Sequence, residues 1–266
     1  MEIGISTASF YARMHPEDAV DFIASTGCGI SEIFLNTYSE YEPDFIDQIK
    51  KKISANSLRI FSVHPMGTQF EPQLFSVNSR QRQDACAIFK KVLEAAQTLG
   101  AGYYVMHGPA GIRHSAKNTR LDWIGPILHE LCEVAKLFGV ALSWENVSWG
   151  LFNNPDFARR IVEYSKADNL TFTLDIKQAA RSGYSPFDYA DAMQERIANV
   201  HVCDYITNGG LTLKMPGRGT FDFQALKARL HDLSYDGPLI IEVYSDLYDD
   251  VNELKTSYGY LMNLLG

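Results

Sequence analysis

The chain has no cysteine pairing to build on. Cys28, Cys86, Cys132 and Cys203 are far apart and form no Cys-x-x-Cys. That spacing argues against a disulfide scaffold or a zinc ribbon, and for reduced, mostly buried thiols in a cytoplasmic protein. No apolar run approaches the ~20 residues of a bilayer span, so no membrane segment is expected. Met1-Glu2-Ile3-Gly4 lacks the basic and then apolar stretches of a secretory leader, which points the same way. Positive charge is scarce too: 24 Lys and Arg stand against 32 Asp and Glu, a formal net charge of −8. Phosphate contacts need clustered Lys and Arg, so nucleic acid is not the expected partner. There is no Ser/Gly-rich or Pro-rich linker and no low-complexity tract. The 266 residues are therefore read as one domain, 1–266.

What is present is alternation. Short apolar, β-branched runs fall near Glu2–Thr7, Gly29–Asn36, Arg59–Pro65, Tyr103–Gly108, Ala141–Val147, Leu170–Ile176, Ala198–Asp204 and Leu239–Tyr244. Several are apolar on both faces, as strands between a core and a helix layer should be. Helical periodicity lies between them. Pro16–Ser25 carries Ala19, Val20, Phe22 and Ile23, and Asp84–Leu99 carries Ala85, Ile88, Val92, Ala95 and Leu99 on one side. Leu121–Phe138 and Pro155–Ser165 read alike. Gly100 and Gly139 sit where helices should stop, and Asn154-Pro155 and Ser185-Pro186 resemble helix starts. Eight strand–helix units without interruption predict a closed (β/α)₈ barrel. An open doubly wound sheet would want a glycine-rich phosphate loop after its first strand, and Thr7-Ala8-Ser9-Phe10 is not one.

Six of these strands end on an ionisable residue: His64, His107, Glu145, Asp175, His201 and Glu242. Alternate strand residues point inward, so one such residue per strand converges on the barrel mouth. All six are metal-ligand types. Carboxylates among apolar neighbours need compensation, because burying an unpaired charge is expensive, and a divalent cation is the simplest compensation.

The order Glu…Asp…His…Glu at successive strand ends resembles the xylose-isomerase-like TIM barrel superfamily. The segments that carry it are Ser143-Trp144-Glu145-Asn146, Thr173-Leu174-Asp175-Ile176, Asn199-Val200-His201-Val202-Cys203-Asp204 and Leu239-Ile240-Ile241-Glu242-Val243. The loop Met215-Pro216-Gly217-Arg218-Gly219 resembles that group's Pro-Gly-x-Gly stretch. The superfamily holds sugar and sugar-phosphate isomerases and epimerases, inosose dehydratases and abasic-site endonucleases. The resemblance implies a divalent ion on Glu145, Asp175, His201 and Glu242. Three carboxylates and an imidazole suit Mn, Mg or Co and also accept Zn.

Two departures bear on the nuclease branch. Many relatives place a histidine three residues after the sixth-strand Asp, where this chain has Gln178. The nucleases carry an Asp-x-His pair beyond the seventh strand, where this chain reads Thr212-Leu213-Lys214-Met215-Pro216.

The leading expectation is an isomerase or epimerase of a small sugar, keto-sugar or sugar phosphate. Glu145 and Glu242 are each expected to be both a ligand and a member of the acid/base pair of an enediolate proton transfer. A hydride shift would use the same ligands. The alternatives are dehydration of an inosose or polyol, and phosphodiester hydrolysis. His64 and His107 either hydrogen-bond substrate or hold a second ion. Lys177 and Arg218 are candidate substrate-binding residues, Lys177 for its place two residues past Asp175 and Arg218 for its loop near a common phosphate site. Trp144, Trp149, Phe34 and Tyr244 are candidate walls of a sugar pocket. A homo-oligomeric state is left open.

Overall fold

Each apolar run becomes one stave of a closed barrel in the computed structural model, which describes residues 1–110 and 120–266. The parallel strands are β1 (Ile3–Ser6), β2 (Ile30–Leu35), β3 (Arg59–Pro65), β4 (Tyr103–Met106), β5 (Ala141–Glu145), β6 (Leu170–Asp175), β7 (Ile197–Val202) and β10 (Leu239–Ile241). β1 pairs with β10 on one side and β2 on the other, so the sheet has no free edge. Every residue of β2 and β7 is buried, which is what a strand between a filled barrel and a helix layer requires.

The outer layer holds α1 (Pro16–Ser25), α2 (Pro43–Ala55), α3 (Glu71–Leu74), α4 (Ser79–Leu99), α5 (Leu121–Leu137), α6 (Asp156–Ser165), α7 (Ile176–Arg181), α8 (Pro186–Met193), α9 (Phe223–Asp232) and α10 (Asn252–Leu265). In α4 the buried set includes Ala85, Phe89, Val92, Ala96 and Leu99, a stripe at helical spacing. Asn78 caps its start by accepting from Arg80 N at 3.0 Å, and Gly100 closes it at φ +74°. Ser185 opens α8 with a full capping box. α6 starts one residue later than Asn154-Pro155 suggested, with Pro155 as the cap and Asp156 as the first helical residue. No helix among the described residues is long and apolar enough to cross a membrane. All four cysteines are free, and burial pushes the Cys28 thiol up to about 11 and those of Cys132 and Cys203 to about 12.

Three features were not foreseen: the short helices α3 and α7, the latter starting at Ile176 so that Lys177 lies on a helix and not on a continued strand, and a hairpin. After β7 the chain makes an antiparallel hairpin, β8 (Asp204–Ile206) with β9 (Thr212–Lys214), before the Pro-Gly-x-Gly loop. Asp204 then organises that loop by accepting four backbone N–H groups, from Tyr205 at 2.8 Å, Gly217 at 3.0 Å, Gly219 at 2.9 Å and Phe221 at 3.0 Å.

Candidate metal centre and substrate cavity

Strand alternation builds the site in two layers. Glu145, Asp175 and His201 lie at or next to the last residues of β5, β6 and β7, and Glu242 lies one residue beyond β10. Two positions earlier on three of these strands stand Ser143, Thr173 and Asn199, and Ser62 precedes His64 on β3 in the same way. These small polar residues form a hydrogen-bonded tier beneath the ionisable one, with Ser143 Oγ 2.7 Å from Thr173 Oγ1. Register brings the upper tier together: Asp175 pairs directly with His201, and His201 with Ile240. One ligand-type atom each from Glu145, Asp175, His201 and Glu242 lies within 4.8 Å of the others, and all four residues are buried.

His201 is oriented from below by a residue that the reading of the strand ends missed. Glu32, in the middle of β2, is wholly buried and accepts from Ser6 Oγ at 2.9 Å, Ser62 Oγ at 2.7 Å and Asn199 Nδ2 at 3.0 Å. Its Oε2 lies 3.1 Å from His201 Nε2. That leaves His201 Nδ1 facing Glu242 Oε2 at 2.8 Å, Glu145 Oε1 at 3.1 Å and Asp175 Oδ2 at 4.0 Å. A histidine tied to a carboxylate through one nitrogen and turned toward carboxylates with the other has the disposition of a supported metal ligand. A charged residue inside the strand run Ile30–Leu35, among Ile30, Ile33, Phe34 and Leu35, was the signal available in the sequence.

The electrostatics describe a site short of positive charge. Burial opposes ionisation of His201, but Glu242, Glu32 and Glu145 outweigh it and hold its pKa well above the usual imidazole range. His64 is likewise disfavoured by burial, yet Glu242 and Glu32 push it up to about 10. Burial pushes Asp175 up to about 7, against the pull of Lys177 and with Glu145 and Glu242 adding to the rise. Lys177 is itself buried and contacts Asp175 and, at 2.9 Å, Glu242 Oε1. Its ammonium is committed to these carboxylates rather than turned to the cavity wall.

A divalent ion fits this donor set on two observations. Four carboxylates, Glu32, Glu145, Asp175 and Glu242, face a single permanent cation, Lys177. Glu145 Oε2 and Glu242 Oε2 are buried without a well-directed hydrogen bond, although His107 Nε2 and His201 Nδ1 each lie 2.8 Å from one of them.

His64 and His107 stand beside the four-residue cluster, Nε2 to Nε2 at 3.0 Å, and with Glu145 they form a second group of ligand-type atoms. His107 is set by Glu71, another residue missed in the sequence. The buried Glu71 carboxylate accepts from His107 N at 2.9 Å, Gly108 N at 2.7 Å and Tyr104 Oη at 2.9 Å. Gly108 has φ +71°, and a Cβ there would meet Trp144 at 2.5 Å, so only glycine suits the turn that carries His107. Glu71→Ala leaves buried donors unpaired at about 1–3 kcal/mol each, so a loss of at least about 2 kcal/mol is expected. Denaturant melts check this, and an unchanged midpoint refutes it.

A cavity of about 620 Å³ opens above the cluster, with Glu145, Glu242, His64 and His107 in its wall. Phe34, Trp149 and Tyr244 line it. Trp144 does not. Alternation that turns Glu145 inward turns Trp144 outward, where it packs on Phe157 and donates to His107 O at 2.9 Å. Arg218 is also not part of the cavity wall. It is exposed and pairs with Glu253 of α10 at 2.6 Å, because Asp204 holds the loop backbone and leaves the guanidinium on the outer side. Gln178 lines the cavity, accepting from Ser148 Oγ at 2.9 Å and donating to Tyr244 Oη at 3.1 Å.

A closed parallel barrel with ligand-type residues at its strand ends defines a class, and sequence comparison fixes the family. Residues 20–264 match the model of the xylose isomerase-like TIM barrel, and the chain belongs to that family. No curated protein matches it in sequence. Among solved structures, a D-tagatose 3-epimerase-like protein superposes with a TM-score of 0.82 at 22% identity, covering 100% of this chain and 97% of that one. An L-ribulose 3-epimerase gives 0.81 at 18%, covering 99% and 94%. An IolI protein with a bound zinc atom gives 0.80 at 18%, covering 98% and 96%. At these identities the likeness establishes the shared fold.

Proposed function

We propose that the protein is a divalent-metal-dependent isomerase or epimerase of a small sugar, keto-sugar or sugar phosphate. The observation that carries this is the gathering of Glu145, Asp175, His201 and Glu242 within 4.8 Å at the base of the cavity. Similarity to a ribulose 3-epimerase and a tagatose 3-epimerase-like protein supports the substrate class, and the zinc of the IolI protein supports the metal.

A bound divalent ion supplies polarisation of a carbonyl and neutralises developing negative charge. The chain's own residues do the rest. Glu145, from β5, and Glu242, after β10, approach from well-separated strands of the ring and both line the cavity. One carboxylate takes the carbon-bound proton of the substrate and the other delivers a proton to the same or the neighbouring carbon. Lys177, bonded to Glu242 Oε1, steadies that carboxylate in its charged form. His107 and His64 supply hydrogen bonds to substrate hydroxyls, and Trp149 and Phe34 cover its apolar face and exclude water.

The direct experiment is elemental analysis of the purified protein beside Glu145→Gln and His201→Ala. Wild type is expected to carry a divalent ion that a chelator removes together with activity, and His201→Ala to carry far less. Equal metal in all three sinks the assignment. A second expectation separates this reading from the nuclease branch. Gln178 donates to Tyr244, and Thr212–Lys214 is committed to the β8–β9 hairpin without an Asp-x-His pair. An abasic duplex should therefore remain uncut under conditions where sugars are turned over, and efficient metal-dependent incision refutes this.

A further inference from the structure

The cavity wall carries a guanidinium with no acidic partner. Gln178 and Arg181 lie three residues apart on α7 and so share a face. Both donate to the same atom, Tyr244 Oη, from Gln178 Nε2 at 3.1 Å and Arg181 Nη1 at 2.9 Å. The Arg181 guanidinium also stacks over the Tyr244 ring, its Cζ 4.9 Å from the ring centre. Arg59, Arg120, Arg159, Arg218 and Arg229 each pair with a carboxylate, whereas no described carboxylate lies within 4.0 Å of Arg181. Asp246 lines the same cavity without pairing to it.

Arginine offers five donors in a planar fork, and Tyr244 engages one of them. The remaining edge is held in place in advance by stacking and by that hydrogen bond, which lowers the ordering cost of binding a planar or tetrahedral oxyanion. The floor of the cavity is acidic, so an anionic substrate needs a cation to offset repulsion. Lys177 is already engaged by Asp175 and Glu242. Arg181 is the one permanent cation lining the cavity among the described residues.

We propose that Arg181, seated on Tyr244, is a specificity-determining residue that binds a carboxylate or phosphate group on the sugar, apart from the end that meets Glu145 and Glu242. The substrate class is then an acidic sugar, either a sugar phosphate or a sugar acid. This rests on the sugar-isomerase reading above, and it predicts binding as well as turnover.

The test is calorimetric titration of the whole protein, supplied with Mn²⁺, with three probes: a ketohexose, its 6-phosphate and the matching ketouronate. Wild type should bind at least one anionic probe about tenfold more tightly than the neutral one, the lower end of what a charge-assisted hydrogen bond supplies for a partly exposed group. That preference should shrink about tenfold in Arg181→Gln and fall in Tyr244→Phe, which keeps the ring but removes the shared acceptor. Preference for the 6-phosphate assigns a phosphate, and preference for the ketouronate a carboxylate. Equal binding of neutral and anionic probes by wild type, an unchanged preference in Arg181→Gln, or no binding of any probe overturns the proposal. An acidic sugar that binds through Arg181 but is never turned over sinks the isomerase reading and leaves this one standing.

Discussion

Glu242→Gln is expected to lower turnover by about 10²–10⁴-fold, the usual size of an acid/base contribution, while most of the bound divalent ion remains. The substitution keeps the side chain's size and one carbonyl oxygen. It removes the charge and the second oxygen, so Lys177 loses one of its two carboxylate partners and His201 Nδ1 loses an anionic neighbour at 2.8 Å. Three ligand-type residues, Glu145, Asp175 and His201, stay in place to hold the ion. Turnover and metal content measured on the same sample separate the two effects. The wild-type reaction run in D₂O gives an independent check, because an intermediate whose proton exchanges with solvent places deuterium on the reacting carbon. Full retention of the substrate's own hydrogen favours a hydride shift or a shielded relay. If Glu242→Gln keeps both its metal and near-wild-type turnover, the two-glutamate mechanism is wrong and His107 becomes the next candidate base.

The barrel and its upper tier were legible because charge breaks an apolar pattern. Glu145, Asp175, His201 and Glu242 each interrupt a run of β-branched or aromatic residues, and each comes at the end of such a run. Glu32 interrupts a run just as visibly but sits mid-strand. Its height on the barrel axis depends on how β2 is staggered against β3, a register that shifts between Ser31 and Glu32 and that no local pattern encodes. Glu71 was hidden for a different reason. It lies in the four-residue helix α3 and reaches β4 only through the tertiary path of the connection. Trp144 was readable, since its neighbour Glu145 could face inward only if it faced outward. Arg218 was not, because Asp204 decides the direction of its loop through four backbone bonds that sequence does not display. Arg181 escaped notice because it follows the strand end by six residues, where the short α7 carries it back over the mouth.

Lys177→Met is expected to destabilise the metal-free protein by about 3–5 kcal/mol, the cost of removing one partner from a buried ion pair and leaving the others uncompensated. Lys177 is fully buried, and both carboxylates it touches are nearly so. Burial would lower its pKa, but Asp175 and Glu242 raise it well above 10.5, so its contribution is complete at neutral pH and is lost only as pH rises beyond that value. Asp175 has the opposite linkage. Burial raises its folded-state pKa from 3.8 to about 7 even with Lys177 present, so its ionisation costs stability increasingly as pH climbs from about 4 toward 7. Without Lys177 that pKa moves higher still. The deficit of Lys177→Met should therefore be smaller at pH 5, where Asp175 is protonated and Glu242 alone has lost the ammonium, than at pH 8, where Asp175 too must carry charge without it. Each kcal/mol corresponds to roughly 2–4 °C in Tm for a chain of this size. A divalent ion supplies the same compensation as the ammonium, so adding Mn²⁺ should raise the Tm of Lys177→Met more than that of wild type. Equal Tm values for the two proteins at pH 8 without metal contradict the role given to Lys177. An equal Mn²⁺ shift in both shows that the ion does not share Asp175 and Glu242 with the ammonium, and removes those two residues from the metal centre.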